Sequence, residues 1–151
     1  MPRTAKPRTA KTAAPDGVHV FPVRVYYEDT DAAGVVYYAN YLRFAERART
    51  EMLRDLGGGR ELLAADGLAF AVRRCSVEFM KPARLDDLLE VETRLTDVGG
   101  ASVVAEQRVK RQAAELVRME MTLACLSPAG KPARLPPALR TRLKDFQATE
   151  H

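Results

Sequence analysis

The chain has 151 residues, 46% apolar and 29% charged, with a formal net charge of +4. That length fits one domain with a single core, and no apolar run approaches the length of a membrane span. Most of the charge is local: Arg3, Lys6, Arg8 and Lys11 against Asp16 give residues 1–17 a charge of +3, which leaves about +1 for residues 18–151. The body of the chain therefore has no general nucleic-acid signature.

The first 17 residues contain a short duplication, Pro2-Arg3-Thr4-Ala5-Lys6 followed by Pro7-Arg8-Thr9-Ala10-Lys11. They have nothing to bury and no apolar core of a secretion signal, so a disordered basic tail is expected. Residues 18–28 alternate loosely and predict a first strand. From Asn40 the period changes: Tyr41, Phe44, Ala45, Ala48, Met52, Leu53 and Leu56 recur at steps of three and four. That pattern makes one apolar face of a long helix, with Asn40 as its expected N-cap and Gly57-Gly58-Gly59 as its stop. A short helical turn is expected over Glu61–Ala65.

Strands follow. Leu68, Phe70 and Val72 share one phase and Cys75, Val77 and Phe79 the other, so a bulge is expected around Arg73-Arg74. Leu89, Val91, Thr93 and Leu95 form the inner face of the next strand, and Gly99-Gly100 a hairpin turn. Val103, Ala105, Gln107 and Val109 then alternate with polar residues, as do Val117, Met119, Met121, Leu123 and Cys125. Pro136–Phe146 predicts a C-terminal helix. Strand, long helix and then several tightly connected strands do not make the alternation of a doubly wound sheet. The expected class is α+β, an antiparallel sheet wrapped around one long helix, over residues 18–135 with a helix or tail over 136–151. Two such sheets joining edge to edge would remove an open edge.

Cys75 and Cys125 lie in apolar strand segments and are expected to be buried free thiols, which suits a reducing cytoplasm. With only His19 and His151 besides, the chain cannot assemble a zinc site or a Cys/His nucleophilic pair. No metal is expected.

The chemistry concentrates in Tyr26-Tyr27-Glu28-Asp29-Thr30-Asp31-Ala32-Ala33-Gly34-Val35-Val36-Tyr37-Tyr38. Carboxylates precede a small-residue loop and then a helix whose first N–H groups favour negative charge. A phosphoryl-transfer Asp-x-Asp reading fails, because Tyr26-Tyr27-Glu28 is not a buried parallel strand. A calcium loop fails as well, since its twelfth position is Asn40 rather than a bidentate Glu. Glu28 and Asp29 read as a solvated strand end, with carboxylates favoured by the helix dipole. Asp31 stands apart, because Val35-Val36-Tyr37-Tyr38 follows the acids at once.

Val23 to Tyr38, Asn40-Tyr41-Leu42-Arg43-Phe44 and Glu46–Arg54 together resemble the hotdog-fold acyl-CoA thioesterases. The resemblance lies with the 4-hydroxybenzoyl-CoA thioesterase family, and especially with its Tol-Pal-associated members in Gram-negative bacteria. Val77-Glu78-Phe79 and Pro82–Asp87 support it, so that it covers roughly residues 20–135. The resemblance implies that Asp31 is the catalytic carboxylate, as nucleophile or as base on water, and that the Tyr38 N–H is an oxyanion donor. Gly34 would pass close to the acyl group, and Tyr27, Val35 and Val36 would wall its pocket. Lys81, Arg84, Lys131 and Arg134 become candidates for the phosphates of coenzyme A. The Tol-Pal-associated relatives usually carry His where this chain has Tyr38, whereas the hydroxybenzoyl-CoA enzymes carry Tyr. The implied partner is an acyl-CoA, or an acyl group on its carrier protein, in a homodimer or a dimer of dimers without metal or redox cofactor. A non-catalytic acyl-binding or envelope-associated protein is the alternative, which Asp31 argues against.

Overall fold

The computed structural model describes residues 17–148, so the expected basic tail lies outside the described residues except for Gly17. Strand β1 covers His19–Arg24, helix α1 Asn40–Asp55 and helix α2 Gly59–Ala65. Strands β2 (Ala69–Phe79), β3 (Leu88–Val98), β4 (Ser102–Arg111) and β5 (Ala114–Leu126) follow, then helix α3, Pro137–Ala148. The strands form one antiparallel sheet in the order β1-β3-β4-β5-β2. This is the hotdog arrangement that the resemblance implied. The first strand is shorter than its alternation suggested, since residues 27–29 turn into a 3-10 helix.

The sheet buries the phases read from the sequence. Leu89, Val91, Thr93 and Leu95 of β3 are fully buried, as are Ala105, Gln107 and Val109 of β4. On α1, Tyr41, Phe44, Ala45, Ala48 and Met52 are buried, and the two alanines let the helix lie close on the sheet. Gln107 pins it there. Its Nε2 donates to the Ala45 carbonyl and to Thr93 Oγ1, both at 3.0 Å, and its Oε1 accepts from Arg49 Nη1 at 3.0 Å. A buried amide with all its partners is tolerated where an unpaired one would be costly. His19 Nε2 donates to Asp55 Oδ2 at 2.9 Å and ties β1 to the far end of α1. Helix α3 closes the second half of the core with Leu139, Leu143 and Phe146.

Bulges adjust the register. The expected one in β2 falls between Val72 and Arg74. Another in β5, between Val117 and Glu115, leaves the Leu116 carbonyl to accept the N–H groups of both Met80 and Lys81, at 2.8 and 3.1 Å. The loop after β2 is fixed further by Asp87, whose Oδ2 accepts the Arg84 N–H at 2.8 Å and Arg111 Nη1 at 2.7 Å. Partial burial pushes the Asp87 carboxyl up, but the Arg84 N–H and the bond and charge of Arg111 outweigh it and hold it below the usual range.

Cys125 is buried, but Cys75 is exposed, contrary to expectation. Strand β2 lies at the sheet edge, so alternation alone does not cover its residues.

Two stability measurements follow from these contacts. The β4–β5 turn places Gln112 at φ 56°, a conformation that costs an L-residue about 1–2 kcal/mol. Gln112→Gly relieves it, less the chain entropy that glycine loses, for a net gain of about 0.5–1 kcal/mol and a Tm higher by roughly 2–3 °C. Gln112→Val, β-branched, should lower Tm instead. Asp87→Asn should lower Tm by a few degrees at pH 7. The stability from a depressed carboxylate is complete above the unfolded value of about 3.9 and is lost as pH falls through the folded value. The deficit of the variant should therefore shrink in thermal melts as pH falls below the unfolded value and through the folded one.

Candidate active site

Strand β1 delivers the acidic loop into a clamp: Val25 donates to the Asp87 carbonyl and accepts from the Asp86 N–H, both at 2.9 Å. The 3-10 turn follows. Asp29 is buried rather than solvated; its Oδ2 accepts the Tyr26 N–H at 2.9 Å, and its own N–H donates to the Tyr26 carbonyl at 2.9 Å. This corrects the strand-end reading of Asp29. The short residue that follows the turn, Thr30, then pairs with Val36 as an isolated antiparallel bridge.

Asp31 sits at the base of the resulting tight hairpin. Its N–H donates to the Val35 carbonyl at 2.9 Å, its carbonyl accepts the Gly34 N–H at 3.0 Å, and Oδ1 accepts the Ala33 N–H at 2.9 Å. Such an Asx turn orients the carboxylate, and among the described residues no donor engages Oδ2. Gly34 has φ 81°, and a Cβ built there would meet nothing within 4 Å. Within this chain, glycine is needed for its backbone conformation and not for close packing.

Helix α1 starts four residues after Val36. Its N-cap is Ala39, without a side-chain cap, and Asn40 is the first helical residue, so the expected cap at Asn40 is displaced by one position. The Asn40 amide points back instead, with Nδ2 donating to the Asp29 carbonyl at 2.9 Å. The same carbonyl accepts the Tyr37 N–H at 3.0 Å. Among the described residues, the N–H groups of Tyr38 and Ala39 have no acceptor. A carboxylate with one free oxygen and two unpaired N–H groups at a helix start thus share one short segment, which suits acyl transfer through an oxyanion.

A groove of about 260 Å³ adjoins this segment and is lined by Val36, Tyr38, Tyr41, Phe79, Met80, Lys81 and Pro82. The Tyr38 ring, 62% exposed, meets Phe79 edge-on at 6.1 Å, and Tyr41 lies 5.9 Å from the same ring. The Tyr41 hydroxyl accepts the Ala83 N–H at 3.0 Å; burial pushes its pKa up, so it stays protonated.

The structure sorts the expected site residues. Val36, Tyr38 and Lys81 line the groove, Val35 bridges to Arg84, and Asp31 and Gly34 lie in the hairpin that leads to Val36 without lining the groove. Tyr27 is 82% exposed and neither lines the groove nor joins the core. Lys131 and Arg134 lie at the other end of β5, beside Leu126 and the Gly100 turn. From Val117 to Leu126 that strand spans about 30 Å, so within one subunit they cannot join Lys81 and Arg84. The groove also contains residues that the sequence reading left out. Tyr41 and Phe79 were visible only as apolar positions, and nothing local marks which apolar residues will face a groove.

The thioesterase superfamily known as 4HBT matches residues 33–117 of the chain. The acyl-CoA thioester hydrolase YbgC of Escherichia coli O157:H7 is 47% identical over 126 residues, 82% of this chain and 94% of that protein. The acyl-CoA thioesterase YbgC of Haemophilus influenzae is 50% identical over 107 residues, 70% of this chain and 79% of that protein. Among solved structures, a probable thioesterase from Bartonella henselae superposes with a TM-score of 0.75 at 42% identity, covering 79% of this chain and 99% of that one. The antiparallel sheet packed on one long helix, the family match and the likeness over most of the length agree: the chain belongs to the 4HBT thioesterase superfamily.

Proposed function

We propose that the chain hydrolyses the thioester of short-chain or aromatic acyl-CoAs, with Asp31 as the reacting carboxylate. The observation that carries this reading is that one hairpin-to-helix segment holds both an Asp31 oxygen and a Tyr38 N–H that are without hydrogen-bond partners among the described residues. The carbonyl carbon of the thioester is attacked by Asp31 itself, giving a mixed anhydride, or by water that Asp31 deprotonates. In either route the carbonyl oxygen gains charge, which the Tyr38 N–H and the start of α1 stabilise. Collapse of that oxyanion expels the CoA thiolate, which takes up a proton from the attacking water. In the anhydride route that water enters second, cleaving the anhydride to restore Asp31, and in both routes one water ends as the new oxygen of the carboxylic acid.

The groove beside Tyr38 supports the choice of acyl group. About 260 Å³ walled by Tyr38, Tyr41 and Phe79 accommodates a short chain or a ring and favours aromatic edges. Lys81 and Arg84 stand at the same end for the phosphates of CoA. An acyl group carried on its carrier protein would present the same thioester.

The working unit in this reading is at least a dimer. Edge strand β1 is short and carries Pro22, which blocks pairing, whereas β2 offers eleven residues with Val72 and Phe79 half exposed. Two copies joined antiparallel along β2 would set the Lys131 and Arg134 end of one beside the Phe79 groove of the other. Those cations would then serve the site of the partner subunit. The two unpaired cysteines fit a cytoplasmic location.

Release of free CoA thiol, followed over a panel of aliphatic and aromatic acyl-CoAs, checks these assignments. Asp31→Asn should lower kcat at least ~100-fold with the fold retained. Asp29→Asn keeps an acceptor for the Tyr26 N–H and should stay active. Tyr38→Phe should also stay active, since the donor is backbone; loss as deep as that of Asp31→Asn would assign the role to the hydroxyl instead. Sedimentation should return at least twice the 16.7 kDa chain mass. Val72→Lys, which sets like charges against each other across a β2 pairing, should reduce mass and activity together.

A further inference from the structure

Both catalytic groups of the proposed reaction hang on one backbone atom. The Asp29 carbonyl lies two residues before Asp31, and it accepts the Tyr37 N–H, one residue before Tyr38, at 3.0 Å. Its second lone pair is taken by Asn40 Nδ2 at 2.9 Å. A carbonyl oxygen has two such sites, so this one is saturated. The hairpin that carries Asp31 and the first turn of α1 are thereby joined at a single point, with Asn40 as the only side chain in the joint.

The placement of Asn40 is also unusual for its residue type. Asn ahead of a helix ordinarily accepts a helix N–H as cap. Here it is the first helical residue, acts as a donor, and points away from the helix toward the acidic loop. The two bonds to Asp29 come from the residues on either side of Tyr38 and Ala39, so they hold that pair without using its N–H groups. We infer that Asn40 is a positioning residue, whose amide fixes the first turn of α1 against the Asp31 hairpin and so sets the Tyr38 N–H relative to the Asp31 carboxylate. The inference rests on the thioesterase reading of those two groups.

Misplacing reacting groups by about 1 Å can cost ~100-fold in rate. Asn40→Ala should therefore lower kcat about 10- to 100-fold, with KM within about twofold of the parent. In an Asp31→Asn background the same change should alter the residual rate by less than about twofold, because the geometry it maintains no longer acts. Amide hydrogen exchange supplies a readout that needs no turnover: Tyr37 should exchange faster in Asn40→Ala, while Phe44 and Ala48 in mid-helix keep parent rates. Uniformly faster exchange along α1 would mean general destabilisation and would overturn the positioning role. Parent-like kcat in Asn40→Ala would also overturn it, provided that Asp31→Asn is inactive. An Asp31→Asn variant as active as the parent would instead remove the thioesterase reading of Asp31, and the inference with it.

Discussion

The Gln107 side chain determines where α1 sits, and the site depends on where α1 begins. Tyr41, Phe44 and Met52 pack beneath the helix with Ala45 and Ala48, but apolar burial is not directional and leaves some freedom of register. One buried amide bonded to the Ala45 carbonyl, to Thr93 and to Arg49 removes that freedom, because any shift would leave polar atoms unpaired in an apolar core. The first turn of the helix, five residues before Ala45, inherits the fixed position. A core that specifies a register is thus the remote cause of the geometry at Asp31 and Tyr38.

The same logic recurs at the rim. The loop between β2 and β3 buries only Ala83 in the core, with Met80 and Leu85 partly exposed, yet it holds the outer wall of the groove. It is secured by backbone groups that the β5 bulge frees, by the Tyr41 hydroxyl on Ala83, and by Asp87 between Arg84 and Arg111. All but the Arg84–Asp87 bond join elements far apart in sequence. These contacts fix the wall to the sheet, which suits the proposed reaction, in which a carbonyl is held against fixed donors.

What the sequence disclosed was whatever is periodic or punctuated. The apolar face of α1, the inner faces of β3 to β5, the phase change at Arg73-Arg74 and the Gly99-Gly100 turn are local patterns, and each appears where expected. Position in the sheet is not local. Cys75 shares its alternation with buried residues but sits on an edge strand, and Lys131 follows a strand that runs away from the groove. Polar residues misled in another way. Asp29 and Asn40 have the composition of a solvated strand end and a helix cap, but their partners are backbone groups brought together only by the turn between them. Asp31 itself stood out because it precedes an apolar run, although its Asx turn and free oxygen did not.

The N-cap of α1 is Ala39, a residue with no side chain to bond the helix N–H groups. Its φ of −68° and ψ of −20° are already helical, and the N–H groups of Asn40, Tyr41 and Leu42 turn back onto the carbonyls of Tyr37, Tyr38 and Ala39, so a Ser or Asp there would find no free first-turn donor to cap. The donors left over at this helix start are the N–H groups of Tyr38 and Ala39, and a negative side chain at position 39 would oppose the oxyanion of the proposed reaction. The donors that the proposed reaction calls on are thus spared by the tight turns with which the helix starts, and a capping residue at position 39 would add little to stability there.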